Sequence, residues 1–147
     1  MDSGLKDRVV IVAASGQGIG RATAEAFAAE GCKLAICARS TQSLRLAAGT
    51  IAGKHKVPVH CEGLDVRDGA AVRQFVANVA ERYGGVDVCV TNAGGPGVMA
   101  TDALVVLGAA VTSVVPQCAS AADRTAAVVS LASCDFATGG LAEVGLD

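Results

Sequence analysis

Residues Val9–Gly20 read VVIVAASGQGIG, an apolar run that breaks into glycines, and Arg21–Gly31 then continues with helical spacing. Strand, glycine turn and helix, in that order, build a seat for a pyrophosphate. Glycine reaches backbone angles that other residues resist and lets an anion approach the main chain. The helix that follows turns unpaired N–H groups and the positive end of its dipole toward that anion. The spacing is Gly16-x-Gly18-x-Gly20, which is not GxGxxG, because Arg21 stands where the last glycine would be. No Lys-Ser/Thr pair follows the glycines, so a P-loop is excluded. Taken alone, such a turn also serves a helix that merely packs on a strand, and its neighbours must decide.

Working outward, strand and helix signals alternate. Arg8–Ala14 is predicted as a strand and Gly18–Glu30 as a helix, with Ala22, Ala26 and Ala29 as its small-residue face. Lys33–Ala38 is the next strand, followed by a helix over Thr41–Ala52 with Ser40 as N-cap. Val57–Cys61 is a third strand. Asp68 then caps a helix over Ala70–Tyr83, in which Val72, Phe75, Val76 and Val79 share one face and Gly84-Gly85 gives the stop. Val86–Thr91 and Val128–Leu131 are strands four and five, with a helical stretch over Asp102–Val115 between them. The pattern implies βαβ units and an α/β fold: a three-layer, doubly wound parallel sheet that ends after about the fifth strand. Residues 1–147 read as a single domain, with 134–147 as a divergent or disordered tail.

Composition narrows the function classes. The 147 residues are 52% hydrophobic but only 3% aromatic, so the core must be built from Ala, Val, Leu and Ile. A net charge of −2 leaves no footprint for nucleic acid or an anionic membrane. Lys54-His55-Lys56 reads as a solvated helix end. The six cysteines are scattered without a CxxC pair, which favours buried reduced thiols over disulfides, and no ligand spacing points to a metal. The N-terminus has no signal-peptide pattern, and Ala103–Ala122 is too polar to span a bilayer. A cytoplasmic protein is expected.

Four motifs in the right order carry a resemblance to the short-chain dehydrogenase/reductase family. Ala13-Ala14-Ser15-Gly16-Gln17-Gly18-Ile19-Gly20 resembles that family's TGxxxGxG turn, with Ala13 and Ala14 in place of Thr and Gly. Arg39, just past the second strand, matches the basic residue set against the 2′-phosphate of NADP, and a guanidinium suits that contact. Asp65-Val66 resembles the pair that contacts the adenine ring, although Asp65 would also suit helix capping. Asn92-Ala93-Gly94 matches the NAG signature that borders the cofactor at the end of strand four. The resemblance runs from about Lys6 to Leu131 and is strongest up to Gly95. It implies a Rossmann-like dinucleotide-binding fold and NADP(H) in preference to NAD(H).

Beyond Gly97 the match thins. Ala103 falls where the family has a structural asparagine, and Ser133 falls at the end of strand five where it has the catalytic serine. The Tyr-x-x-x-Lys pair that completes the family's acid–base machinery is absent from these 147 residues. The one tyrosine, Tyr83, precedes the fourth strand, and the family's tyrosine would fall near Leu146. The resemblance therefore implies an NADP-dependent oxidoreductase acting on a small carbonyl or secondary alcohol, in a truncated or divergent form of doubtful competence. The alternative is a non-catalytic NADP(H)-binding module, or an inactive fragment of a longer reductase. A homo- or hetero-oligomer is compatible with either.

Overall fold

Strand β1 (Val9–Ala13) is buried at every position, as a strand covered on both faces must be. The computed structural model describes residues 3–93 and the backbone of 127–129. After β1 come α1 (Gly18–Ala29), β2 (Lys33–Ala38), α2 (Thr41–His55), β3 (Val59–Gly63), α3 (Gly69–Tyr83), β4 (Val88–Val90) and β5 (Ala127–Val129). The sheet order is β3-β2-β1-β4-β5, and every pairing is parallel. The chain steps from β1 to β3 in one direction, then returns past β1 to lay β4 on its other side. That reversal opens a crevice beyond the C-terminal ends of β1 and β4, where ligands of such sheets bind.

Alternate residues of β1 go to opposite faces. Val9, Ile11 and Ala13 pack with Val72, Phe75, Val76 and Val79 of α3. Val10 and Val12 pack with Ala24 and Ala28 of α1 and with Leu44 and Ile51 of α2. Helices thus cover both faces of the sheet, giving the three-layer, Rossmann-like arrangement expected from the alternating pattern.

Three local expectations are corrected. The buried face of α1 is Gly20, Ala24 and Ala28, whereas Ala22, Ala26 and Ala29 are exposed. Alanine occurs all round this helix, so composition did not fix its rotation; the contact that Gly20 makes with the strand ends does. Helix α2 runs on through Gly53 to His55 and stops where Lys56 turns left-handed at φ 57°. Strand β3 therefore begins at Val59 rather than Val57, after Pro58, which has no N–H to donate but whose carbonyl accepts from Leu34 at 2.9 Å. The ends of β1 and β4 differ from expectation by one or two residues, as boundaries commonly do, and β5 begins at Ala127, one residue before the expected Val128.

Cys32, Cys37 and Cys89 are buried and free, and Cys61 is free and partly buried. Burial pushes the Cys37 and Cys89 thiols up to about 12. Burial, with the Glu30 and Asp87 charges, pushes Cys32 up to about 11. Lys54 and His55 reach Glu25, tying the end of α2 to α1. No helix among the described residues is long and apolar enough to cross a membrane. The stretch Asp102–Val115, Ala103 and the tail 134–147 lie outside the described residues.

Candidate functional site at the strand ends

The turn after β1 is assembled from residues with distinct tasks. Ala14 sits in the left-handed region at φ 53°, a conformation that favours glycine. Ser15 is fully buried. Its N–H donates to the Cys37 carbonyl at 3.2 Å and its Oγ donates to the Val12 carbonyl at 2.7 Å. Ser15 therefore pins the turn to β1 and β2 from beneath. Gly18, at φ 60°, supplies the second left-handed position. Gly20 admits no side chain, since a methyl there would come under 3.0 Å from the Ala14 carbonyl oxygen and Asn92 Nδ2. Asn92 Nδ2 also donates to the Ala13 carbonyl at 3.5 Å, linking the ends of β4 and β1.

The three helices of the described residues begin differently. At α2 the Ser40 side chain accepts from Ser43 N–H, and at α3 Asp68 Oδ1 accepts from Ala70 and Ala71 N–H at 3.1 Å each. At α1 the N-cap is Gln17, whose side chain makes no cap bond, and no other side chain caps the first turn among the described residues. The open N–H groups of that turn and their partial positive charge are left for another acceptor.

These pieces surround a cleft of about 990 Å³. Its walls are Ala14 with Gly16–Gly20, then Ala38–Ser40 after β2, Ser43 of α2, Leu64–Val66 after β3, and Asn92–Ala93 after β4. Of the residues predicted for the cofactor, Ala14, Gly16, Gln17, Gly18, Ile19, Gly20, Arg39, Asp65, Val66, Asn92 and Ala93 share this cleft, while Ser15 supports it from below. Gly94 and Ser133 lie outside the described residues. The sequence reading missed Ala38, Ser40, Ser43 and Leu64 as walls. Ser43 could have been sought from Gly16, whose absent side chain leaves room for the Ser43 hydroxyl.

Arg39 and Asp65 are the formally charged residues of these walls among the described residues. Arg39 is exposed and has no ion pair within 4.0 Å among the described residues. Asp65 is gripped by Arg67: Nε lies 3.0 Å from both carboxylate oxygens and Nη2 lies 2.6 Å from Oδ2. The Arg67 N–H adds a bond to Oδ1 at 3.0 Å. The Arg67 side chain, its backbone N–H and then the charges of Arg67 and Arg39 hold the Asp65 carboxyl down at about 2. Helix capping, the other reading of Asp65, falls instead to Asp68.

The walls offer N–H groups at one place, a guanidinium at a second, and apolar surface at Ile19, Leu64 and Val66. No Tyr, Lys, His or Cys is among the described walls. No group of three or more His, Cys, Asp or Glu among the described residues could hold a metal ion.

The family model for short chain dehydrogenases matches residues 8–129. Sorbitol dehydrogenase of Cereibacter sphaeroides is 36% identical over 90 residues, covering 60% of this chain and 33% of that protein. Among solved structures, L-sorbose reductase from Gluconobacter frateurii complexed with NADPH and L-sorbose superposes with a TM-score of 0.70. It is 29% identical, and the match covers 77% of this chain and 49% of that one. An NAD⁺-bound xylitol dehydrogenase gives a TM-score of 0.71 at 24% identity over 77% of this chain and 50% of that one, a likeness of fold. The match spans about a third of the curated relative's length and about half of each solved chain.

Proposed function

Because the chain belongs to the short-chain dehydrogenase family, we propose that it forms the dinucleotide-binding part of an oxidoreductase and takes NADP(H) in preference to NAD(H). One observation carries the reading: the uncapped first turn of α1 opens on the same cleft as Arg39, a cation with no partner within 4.0 Å among the described residues. A pyrophosphate needs the first and a 2′-phosphate needs the second. The close approach at Gly20 supports the fit, since any side chain there would push α1 off the strand ends.

In this reading the backbone of Gly16, Gln17, Gly18, Ile19 and Gly20 holds the pyrophosphate, with Ala14 at the turn's entrance and Ser15 bracing it. Arg39 holds the 2′-phosphate, and Asp65 and Val66 border the adenine. Asn92, Ala93 and Gly94 border the nicotinamide side. A nicotinamide held there would supply a hydride to a small carbonyl or take one from a secondary alcohol. Ser133 is the residue of this chain proposed to hydrogen-bond that substrate oxygen.

Tyr83, the one tyrosine, packs against the α3-side core with its hydroxyl buried, away from the cleft walls. With no Tyr-x-x-x-Lys in these 147 residues, we assign them cofactor binding rather than efficient turnover. Replacing Arg39 tests the assignment. Arg39→Gln should weaken NADPH about tenfold or more while leaving NADH within about twofold, followed by nicotinamide fluorescence. An equal loss for both cofactors would refute the preference. Carbonyl-reduction turnover that is abolished by Ser133→Ala would overturn the assignment to binding alone.

A further inference from the structure

We propose that Arg67, which does not line the cleft, sets its preference for a 2′-phosphate by holding the Asp65 carboxylate away from Arg39. The inference rests on the NADP(H) reading above and concerns a residue that the reading does not use.

Among the described residues the cleft walls carry one cation, Arg39, and one anion, Asp65, whose formal charges sum to zero. A dianionic phosphate set beside them would meet a guanidinium with a carboxylate nearby to compete for it. Arg67 changes that sum from outside the walls. Its Nε reaches both Asp65 oxygens at 3.0 Å and its Nη2 reaches Oδ2 at 2.6 Å, while its own N–H takes Oδ1 at 3.0 Å. Both oxygens are therefore committed to one residue two positions along the chain. The charge of Arg39 also acts on Asp65, so the two are within electrostatic reach. Yet no ion pair forms between them within 4.0 Å among the described residues.

Without the Arg67 guanidinium, Arg39 is the cation left acting on Asp65 among the described residues, and both line the same cleft. A guanidinium–carboxylate fork is a strong, geometrically specific contact. A 2′-phosphate would have to displace it, whereas NADH, lacking that phosphate, would not. Arg67 is thus a positioning residue that acts on the cofactor through Asp65. A residue that only shaped the turn before α3 would affect both cofactors alike.

The test compares NADPH and NADH dissociation constants, by nicotinamide fluorescence, for the full chain and for Arg67→Gln, Arg67→Lys and the double variant Arg67→Gln/Asp65→Asn. Arg67→Gln should reduce the preference for NADPH by about threefold to tenfold, the scale of one partly screened charge. Arg67→Lys should keep most of the preference. The double variant should restore it, since no carboxylate remains to capture Arg39. An unchanged ratio in Arg67→Gln, or no recovery in the double variant, overturns the inference. A wild-type preference for NADH would refute the Arg39 assignment alone, leaving the Arg67→Gln shift to judge this one. A cofactor-free arm follows the Asp65 carboxyl by NMR titration. Arg39→Gln should raise its midpoint more in the Arg67→Gln background than in wild type, and equal increments would contradict the competition.

Discussion

Ala14 and Gly20 face each other across the glycine turn and carry opposite constraints. Ala14 holds φ 53° with a Cβ in place, which costs about 1–2 kcal/mol relative to glycine, partly offset by glycine's greater unfolded-chain entropy. Ala14→Gly should therefore raise stability by about 1 kcal/mol. Gly20→Ala should lower it by about 1–3 kcal/mol, because the new methyl meets backbone and the Asn92 amide rather than a side chain that can swing aside. Urea unfolding of both variants checks the pair, and a neutral Gly20→Ala would contradict the close approach. The places of Gly20 and Arg39 on the cleft were legible in the sequence because each follows from its residue type and its position after a strand. The Asp65–Arg67 fork was not, since it depends on two side-chain rotamers that no spacing records. Ser15 was read as part of the seat, but its hydroxyl turns inward because the turn's own polar groups need partners before any ligand does.

The start of β4 shows how one carboxylate sets an element. Asp87 is buried, and its Oδ2 accepts from Val9 N–H at 2.8 Å while its own N–H donates to the Val9 carbonyl at 2.9 Å. These bonds fix the register of β4 beside β1 and so bring Asn92 to the turn. Asp87→Ala should cost about 1–3 kcal/mol by leaving the Val9 N–H without its acceptor, and Asp87→Asn should cost less because it keeps a carbonyl. Equal losses in urea unfolding would show that packing, not the bond, is at stake. Capping divides the helices in the same physical terms. Ser40 and Asp68 were visible as caps because their types and positions suffice. The rotation of α1 was not, because a helix with alanine on every side offers no apolar stripe to read.

The sheet as a whole buries the thiols of Cys37 and Cys89, with Cys32 buried just before β2, and gathers its loops at the C-terminal ends of its strands. Cys32, Cys37 and Cys89 bind their protons more tightly in the folded chain than in the unfolded one. Their contribution is complete below the unfolded thiol value of about 8.5 and falls as pH rises toward their folded values. Stability should therefore decline above about pH 8.5, by up to about 1.4 kcal/mol per pH unit per thiol. Urea midpoints that stay flat between about pH 8 and about pH 10 would contradict this. The parallel, doubly wound sheet was legible because alternating βαβ signals permit few topologies, whereas the order of its strands emerges only from their pairing. The reversal between β3 and β4 then explains why turns after four separate strands meet in one cleft. The central claim is that this cleft is a dinucleotide seat biased toward a 2′-phosphate. Titration of the chain with NADPH and with NADH, followed by nicotinamide fluorescence, tests it most directly. Saturable binding of both, tighter for NADPH, is the predicted result; no saturable binding of either at millimolar concentration would contradict the account.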